Sequence, residues 1–195
     1  MWQEIFNFLS IAAAVACCSA AVKLADDYLD REFDAIAGRT NWAELLGQGT
    51  MLYAMFLLAL AAGINAPLSL SLFLASYVIG MFNSMRTKLP SRLNGLQESL
   101  LALAAGIILF GWNQMLFAFT FVLAVQLFDD YLDVQSDQIA GQRNLAKRFG
   151  SLECLVMGVI CIVAAWGANE ELFLPVALGS MLVYLGALGY EQVRL

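Results

Sequence analysis

Eight aspartates form two clusters whose residue type and spacing suit the binding of a cation. The clusters are Asp26, Asp27, Asp30 and Asp34, and Asp129, Asp130, Asp133 and Asp137. Residues four apart on a helix share a face, so Asp26, Asp30 and Asp34 would form a stripe of like charges that repel one another. Carboxylates in a chain without histidine suit a hard cation, and Mg²⁺ is usually held by one or two carboxylates together with substrate phosphates. The spacing therefore predicts a Mg²⁺ site that acts on a phosphate-bearing substrate.

The two clusters belong to an internal repeat. Residues 21–47 and 124–150 align without gaps at an offset of 103, with 15 identities in 27 columns. A solvated acidic helix end would explain one such cluster equally well. Its duplication, with matching Tyr, Leu, Ile, Ala, Gly and Asn positions, favours a functional site.

A basic loop supplies charge of the opposite sign. Segment 86–95, RTKLPSRLNG, places Arg86, Lys88 and Arg92 within seven residues, a set of cations that could hold a diphosphate bridged to the metal. Decoration of a cytoplasmic loop by basic residues is the alternative interpretation. Lys23, one turn before Asp27, is expected to snorkel or to pair with a carboxylate. Weaker basic candidates are Arg39, Arg143, Lys147 and Arg148.

The elements that position these residues belong to a membrane protein. Of the 195 residues, 61% are hydrophobic and 13% are charged, whereas soluble domains average about 45–50% and about 25%. The net charge of −6 argues against nucleic acid as a partner. All four cysteines lie in apolar runs without a CxxC pair, which indicates small buried side chains rather than a zinc site. The sequence predicts an all-α, polytopic helical bundle with a single domain over residues 1–195.

The apolar runs predict seven spanning helices. They are 3–25, 50–65, 67–85, 96–111, 113–130, 152–168 and 172–190. With seven spans, all ten basic residues fall on the side reached by the ends of the odd-numbered helices. The positive-inside bias then puts the N-terminus outside, the C-terminus in the cytoplasm, and both aspartate clusters on the cytoplasmic face.

These motifs resemble those of the UbiA superfamily of intramembrane prenyltransferases. DDYLDREFD is similar to the family's first motif, NDxxDxxxD, with Asp26 at the usual Asn position. DDYLDVQSDQIAGQRNLAKRFG is similar to the second motif, DxxxD, and in RTKLPSRLNG the residues Lys88, Pro90 and Asn94 fall on the family's Lys, Pro and Asn. The resemblance covers essentially the whole chain.

The chain also departs from the family pattern. Family members usually have two more spanning helices than the seven predicted here, and their first motif follows the second helix rather than the first. The resemblance therefore implies that the opening and closing helices are missing and that a wall of the cavity is absent. A second copy of the chain or a partner subunit would close it. The family's Arg-Pro pair is replaced by Trp42-Ala43, which implies a rebuilt donor pocket or lost activity.

The resemblance implies Mg²⁺-dependent transfer of an isoprenyl group from a polyprenyl diphosphate to a lipophilic acceptor. Two Mg²⁺ would be bound, one by Asp27, Asp30 and Asp34 and the other by Asp130, Asp133 and Asp137, with Asp26 and Asp129 as further ligands. The expected substrate-binding residues are Arg86, Lys88, Asn94, Arg143, Tyr28 and Tyr131.

Two other functions are compatible with parts of the pattern. A non-catalytic UbiA-like subunit of a larger complex could bind lipid, quinone or pigment through an exposed apolar face. A soluble-type isoprenyl diphosphate synthase would account for the two DDxxD sequences, but it would leave the one-sided distribution of basic residues accidental.

Overall fold

The structure is a computed structural model that describes residues 1–38, 41–141 and 144–193. Within these ranges the chain is built from helices and contains no strand beyond one isolated bridge between Lys88 and Asn94. In chain order the helices are α1 (Trp2–Leu29), α2 (Arg31–Ala37), α3 (Trp42–Leu46), α4 (Thr50–Gly80), α5 (Gly95–Phe110), α6 (Trp112–Leu132), α7 (Val134–Ala140), α8 (Leu145–Phe149), α9 (Ser151–Ala168) and α10 (Glu170–Val193). Short 3₁₀ segments cover Gly47–Gly49 and Met81–Ser84.

Five helical segments of the described chain are long and apolar enough to cross a membrane. They are Trp2–Leu29, Trp42–Gly80, Trp112–Leu132, Ser151–Ala168 and Glu170–Ala187, while the apolar helix Gly95–Phe110 is shorter. Many of their large apolar side chains face outward, such as Ile108 at 82% exposure. In a membrane protein these side chains contact lipid, so the all-α, membrane-spanning character expected from composition is confirmed.

Helix α4 consists of two helices separated by a sharp reversal. Asn65 has non-helical dihedral angles (φ −149°, ψ 87°), and its Oδ1 accepts the N–H of Leu68 as a helix cap. The hydroxyl of Ser69 donates to the carbonyl of Ala61 at 3.0 Å. Eight residues of straight helix would span about 12 Å, so the chain turns back at Asn65, where a span boundary was expected.

Other helix ends also fall near the expected boundaries. Gly111, with φ 87°, separates α5 from α6, and the extended residue Asn169 separates α9 from α10. The third predicted span extends to residue 85, whereas α4 ends at Gly80 and is followed by the 3₁₀ segment Met81–Ser84. The apolar run therefore outlasts the α-helix, because hydrophobicity alone does not distinguish α from 3₁₀ geometry.

The chain divides into two compact units, each assembled from several segments. The first comprises Met1–Ser69, Gln135–Gln142 and Glu171–Leu195. Here α10 packs closely on α1, because a Cβ atom at Gly179 would lie 2.5 Å from the carbonyl oxygen of Ala12. Nearby, the hydroxyls of Ser19 and Ser180 are hydrogen-bonded at 3.3 Å. The first unit thus contains the first aspartate cluster and also residues 135–140 of α7, which include Asp137.

The second unit comprises Leu70–Val134 and Arg143–Glu170. Helix α6 packs along α9, and the short helix α8 contacts both of them. The buried side chains of Leu127, Ala146 and Cys154 form a cluster here, and the Cys154 thiol donates to the Leu127 carbonyl at 3.3 Å. This cluster lies one turn before Asp130 on α6. Of the four free cysteines, Cys18 and Cys154 are buried, as expected for small apolar side chains, whereas Cys17 and Cys161 are partly exposed.

Candidate functional site

In each copy of the repeat, the second aspartate of the Asp-Asp pair is buried. Asp27 is 3% exposed and Asp130 is 6% exposed. Their Oδ2 atoms accept backbone N–H groups at the start of the following short helix: Trp42 donates to Asp27 at 2.8 Å, and Leu145 donates to Asp130 at 2.7 Å. A carboxylate satisfies such N–H groups and suits the positive end of the helix dipole. Each aspartate therefore anchors the start of α3 or α8.

An asparagine completes this connection in both copies. Asn41 Nδ2 donates to the Asp27 carbonyl at 3.0 Å, and Asn144 Nδ2 donates to the Asp130 carbonyl at 2.7 Å. The Oδ1 atom of each asparagine caps its short helix by accepting the N–H three residues later, at 3.0 and 3.1 Å. We call the buried aspartate and its asparagine the Asp–Asn link. The link joins two residues that are 14 positions apart and holds the start of the short helix against the end of the preceding long helix.

The remaining oxygen of each buried aspartate contacts a side chain one turn earlier. Lys23 Nζ lies 3.0 Å from Asp27 Oδ1, which confirms the expected ion-paired lysine. At the corresponding position of the second copy, Gln126 Nε2 donates to Asp130 Oδ1 at 2.8 Å. Both oxygens of both aspartates are thus bonded within the protein. These bonds assign Asp27 and Asp130 to holding the fold, and their expected role as direct metal ligands stays a prediction.

The other aspartates of the first cluster keep the stripe expected from their spacing, although the helix is interrupted. Helix α1 ends at Leu29, and Asp30 (φ −91°, ψ 2°) separates it from α2. The Asp30 N–H still donates to the Asp26 carbonyl and the Asp34 N–H to the Asp30 carbonyl, both at 2.9 Å. Asp133 interrupts the second copy in the same way (φ −95°, ψ 7°) and donates to the Asp129 carbonyl at 2.9 Å. The four-residue spacing therefore survives the break.

Carboxylates from both copies act on Asp30. Burial, followed by the negative charges of Asp26, Asp34 and Asp137, raises the pKa of the Asp30 carboxyl from 3.8 to about 6, while Lys23 opposes the shift. Asp137 belongs to the second aspartate cluster, but its helix α7 is part of the first unit. The first unit therefore brings one carboxylate of the second copy beside the stripe of the first.

These carboxylates have the chemistry that a hard divalent cation requires, namely several anionic oxygens without sulfur or nitrogen ligands. In the part of the chain that the structure describes, no three carboxylates or thiols converge closely enough to enclose an ion already. Like charges repel, so a cation would draw Asp30 together with Asp26, Asp34 or Asp137. The donor set fits Mg²⁺.

The basic loop is a compact hairpin at the start of α5. The Leu89 N–H donates to the Leu93 carbonyl at 2.8 Å, and Arg92 turns the chain with φ 68°. Asn94, an expected diphosphate ligand, forms a capping box with Gln97, with bonds of 2.9 and 3.0 Å. Its side-chain oxygen therefore holds the helix start. Arg86 and Lys88 are exposed on the hairpin, which lies in the second unit.

The other expected site residues have less defined surroundings. Tyr28 and Tyr131 occupy equivalent positions of the two copies and are 43% and 38% exposed. Arg39 and Arg143 lie outside the described residues, so their expected roles stay predictions. Asp129 and Asp133 belong to the second unit, and a second Mg²⁺ there also stays a prediction.

Sequence reasoning missed the functions of Asn41, Asn144 and Gln126. A signal for the asparagines was present, because each follows its buried aspartate by 14 residues and both are identical in the repeat. Gln126 had no such signal, since it differs from Lys23 in the aligned position.

No family model, curated protein or solved structure matches the chain.

Proposed function

We propose that this protein is a Mg²⁺-dependent intramembrane prenyltransferase that transfers an isoprenyl group from a polyprenyl diphosphate to a lipophilic acceptor. The observation that supports this best is that Asp137, from the second copy of the repeat, lies close enough to the stripe of the first copy to raise the pKa of Asp30. Carboxylates near a membrane surface are costly to desolvate and repel one another. A divalent cation bound with a diphosphate offsets both costs. We therefore assign cation binding to Asp26, Asp30, Asp34 and Asp137.

The proposal includes seven spanning helices, with the N-terminus outside and the aspartates at the cytoplasmic face. The reversal at Asn65 supports this count, because it divides Thr50–Gly80 into two helices. Each half is about 15 residues, or about 22 Å long, which is short for a span. A fluorescent protein that matures only in the cytoplasm, fused after residue 195, is expected to fluoresce. Absence of fluorescence in a correctly inserted fusion would contradict the orientation.

In the proposed reaction, the bond between the allylic carbon and the diphosphate oxygen breaks, and its electron pair stays on the diphosphate. The allylic carbon then bonds to the acceptor, which loses a proton. Mg²⁺ bound at this site supplies Lewis acidity and neutralises the charge that develops on the leaving group. Asp26, Asp30, Asp34 and Asp137 would hold the cation, while the buried Asp27 keeps the chain that carries the first three in place.

The proposal is tested by donor turnover. Purified protein in nanodiscs of native lipid extract, which contains candidate acceptors, is incubated with radiolabelled geranylgeranyl or farnesyl diphosphate. Label is expected in the lipid phase with Mg²⁺ and not with EDTA. Asp30→Asn, which removes the charge while keeping the shape, is expected to lower the rate at least 100-fold. Full activity of Asp30→Asn would contradict the assignment.

The matched control is Glu171→Gln, which removes an exposed carboxylate from the first turn of α10. It changes the net charge by the same amount as Asp30→Asn, but it lies outside both copies of the repeat. We expect turnover like that of the unmodified protein. If both variants lose activity equally, the loss reflects net charge or folding rather than a cation site.

One observation favours the second candidate, a non-catalytic membrane subunit. Asp27 and Asp130 are explained entirely by their bonds within the protein, so the presence of these two aspartates needs no catalysis. If this alternative holds, a stoichiometric partner copurifies and neither Mg²⁺-dependent turnover nor divalent-cation binding is measured.

A further inference from the structure

Asn41 contacts both the buried anchor of the first copy and one of the proposed cation ligands. Besides the Asp27 carbonyl, its Nδ2 donates to Asp34 Oδ2 at 2.7 Å. Its Oδ1 accepts the Glu44 N–H at 3.0 Å, and the side chain is 6% exposed. An amide has two N–H donors and one carbonyl oxygen. All three functions of the side chain are therefore in use.

The surrounding groups also determine which way this amide points. The Asp27 carbonyl and an ionised Asp34 carboxylate can only accept, whereas the Glu44 N–H can only donate. Reversing the amide would set its oxygen against two acceptors and its NH₂ group against a donor. Asn41 consequently has one satisfactory orientation, and in that orientation it fixes the direction of the Asp34 carboxylate.

We infer that Asn41 is a positioning residue that holds the Asp34 carboxylate ready for a divalent cation. This inference rests on the proposed function, because it assumes that Asp34 binds the ion. A carboxylate accepts up to about four hydrogen bonds, so one bond from Asn41 orients Asp34 without preventing ligation. Partners of this kind typically change metal affinity by about 10–100-fold when they are removed.

The variant that separates positioning from helix capping is Asn41→Ser. Serine is also a good N-cap, so its hydroxyl can still accept the Glu44 N–H. It is too short to donate to Asp34 and the Asp27 carbonyl at the same time. The matched control is Asn65→Ser, which makes the same change at the helix cap within α4, a position outside the repeat.

The probe is Mn²⁺ in place of Mg²⁺, measured by electron paramagnetic resonance titration of the protein in nanodiscs. We expect Asn41→Ser to weaken Mn²⁺ binding about tenfold at a temperature where the variant is still folded, whereas Asn65→Ser binds normally. Asp34→Asn is expected to weaken binding more. The double variant Asn41→Ser/Asp34→Asn should bind no more weakly than Asp34→Asn alone, because Asn41 acts through Asp34.

Two results would overturn the inference: normal Mn²⁺ binding by Asn41→Ser, or losses that multiply in the double variant as expected for independent effects. The outcome also separates this inference from the proposed function. If Asn41→Ser weakens Mn²⁺ binding and the unmodified protein consumes no prenyl donor, the positioning role stands and the prenyltransferase proposal fails. If the unmodified protein binds no Mn²⁺, both fail.

Discussion

The two copies of the repeat share a backbone arrangement, but they satisfy the buried aspartate with different side chains. In both, Oδ2 of the buried aspartate accepts the N–H at the start of a short helix, and an asparagine closes the connection. The Oδ1 atom receives a cation, Lys23, in the first copy and a neutral amide, Gln126, in the second. Both copies therefore surround the carboxylate with donors in the same positions. The donor to Oδ1 is charged in the first copy and neutral in the second.

The largest expected effect comes from breaking the Asp–Asn link. Asp27→Ala would remove the ion pair with Lys23 and the acceptor of the Trp42 N–H. Because the Lys23 side chain is 33% exposed, we expect a cost at the lower end of the range of about 3–5 kcal/mol typical of a broken buried ion pair. Asp130→Ala, with a neutral Gln126, is expected to cost less, about 2–3 kcal/mol. The free energy of unfolding is measured by denaturant titration in mixed micelles.

The control for both variants is the neighbouring aspartate. Asp26 is exposed and belongs to the charge stripe, so Asp26→Ala is expected to change the free energy of unfolding by less than about 1 kcal/mol. A cost equal to that of Asp27→Ala would contradict the division of the Asp-Asp pair into a buried anchor and a residue of the stripe.

A smaller effect is expected from exchanging the donors between copies. Lys23→Gln installs the residue of the second copy and should preserve a hydrogen bond to Asp27, at a cost below about 1.5 kcal/mol. Lys23→Met keeps the length of the side chain but donates nothing, and we expect a cost of about 3 kcal/mol because it leaves a buried carboxylate oxygen unpaired. Gln126→Met tests the second copy in the same way. Equal costs for Lys23→Gln and Lys23→Met would show that the first copy needs a cation.

The sequence predicted much of this arrangement but did not distinguish the members of each aspartate cluster. The repeat, the helical class and the break near Asn65 follow from residue patterns, because apolar runs and turn residues act locally. The functions of Asp27 and Asp34 could not be separated in the same way. Both belong to one motif, and only the packing of α3 against α1 buries one of them while leaving the other partly exposed. The position of α7 in the first unit likewise depends on long-range packing.

The raised pKa of Asp30 predicts that the free energy of unfolding depends on pH in metal-free buffer. Its pKa is raised from 3.8 to about 6 in the folded protein, so the folded state binds this proton more tightly than the unfolded state does. The free energy of unfolding should therefore fall as the pH rises through this interval, and it should change no further from this group above about pH 7. A shift of about 2 pKa units corresponds to about 3 kcal/mol at about 1.4 kcal/mol per unit. Because Asp30 is partly exposed, we expect a change of about 1–2 kcal/mol.

The measurement compares the unmodified protein with Asp30→Asn at pH 4.5 and pH 7, so that the other carboxylates cancel. The unmodified protein should lose stability relative to the variant as the pH rises. Mg²⁺ at pH 7 is expected to restore that stability in the unmodified protein more than in Asp30→Asn. A pH response that is the same in both proteins would contradict the position of Asp30 among like charges.

The smallest effect, and the closest test of backbone equivalence, concerns the glycines that end α2 and α7. Gly38 and Gly141 have φ angles of 71° and 73°, and a Cβ atom at either would meet nothing within 4 Å. Alanine would therefore be disfavoured only by the left-handed conformation, at about 1–2 kcal/mol, and the two costs should agree within a few tenths. Asparagine, which tolerates this conformation better, should cost less at both positions. Costs that differ by more than about 1 kcal/mol would mean that the two turns are held by different contacts, and the equivalence of the copies would then be limited to the Asp–Asn link.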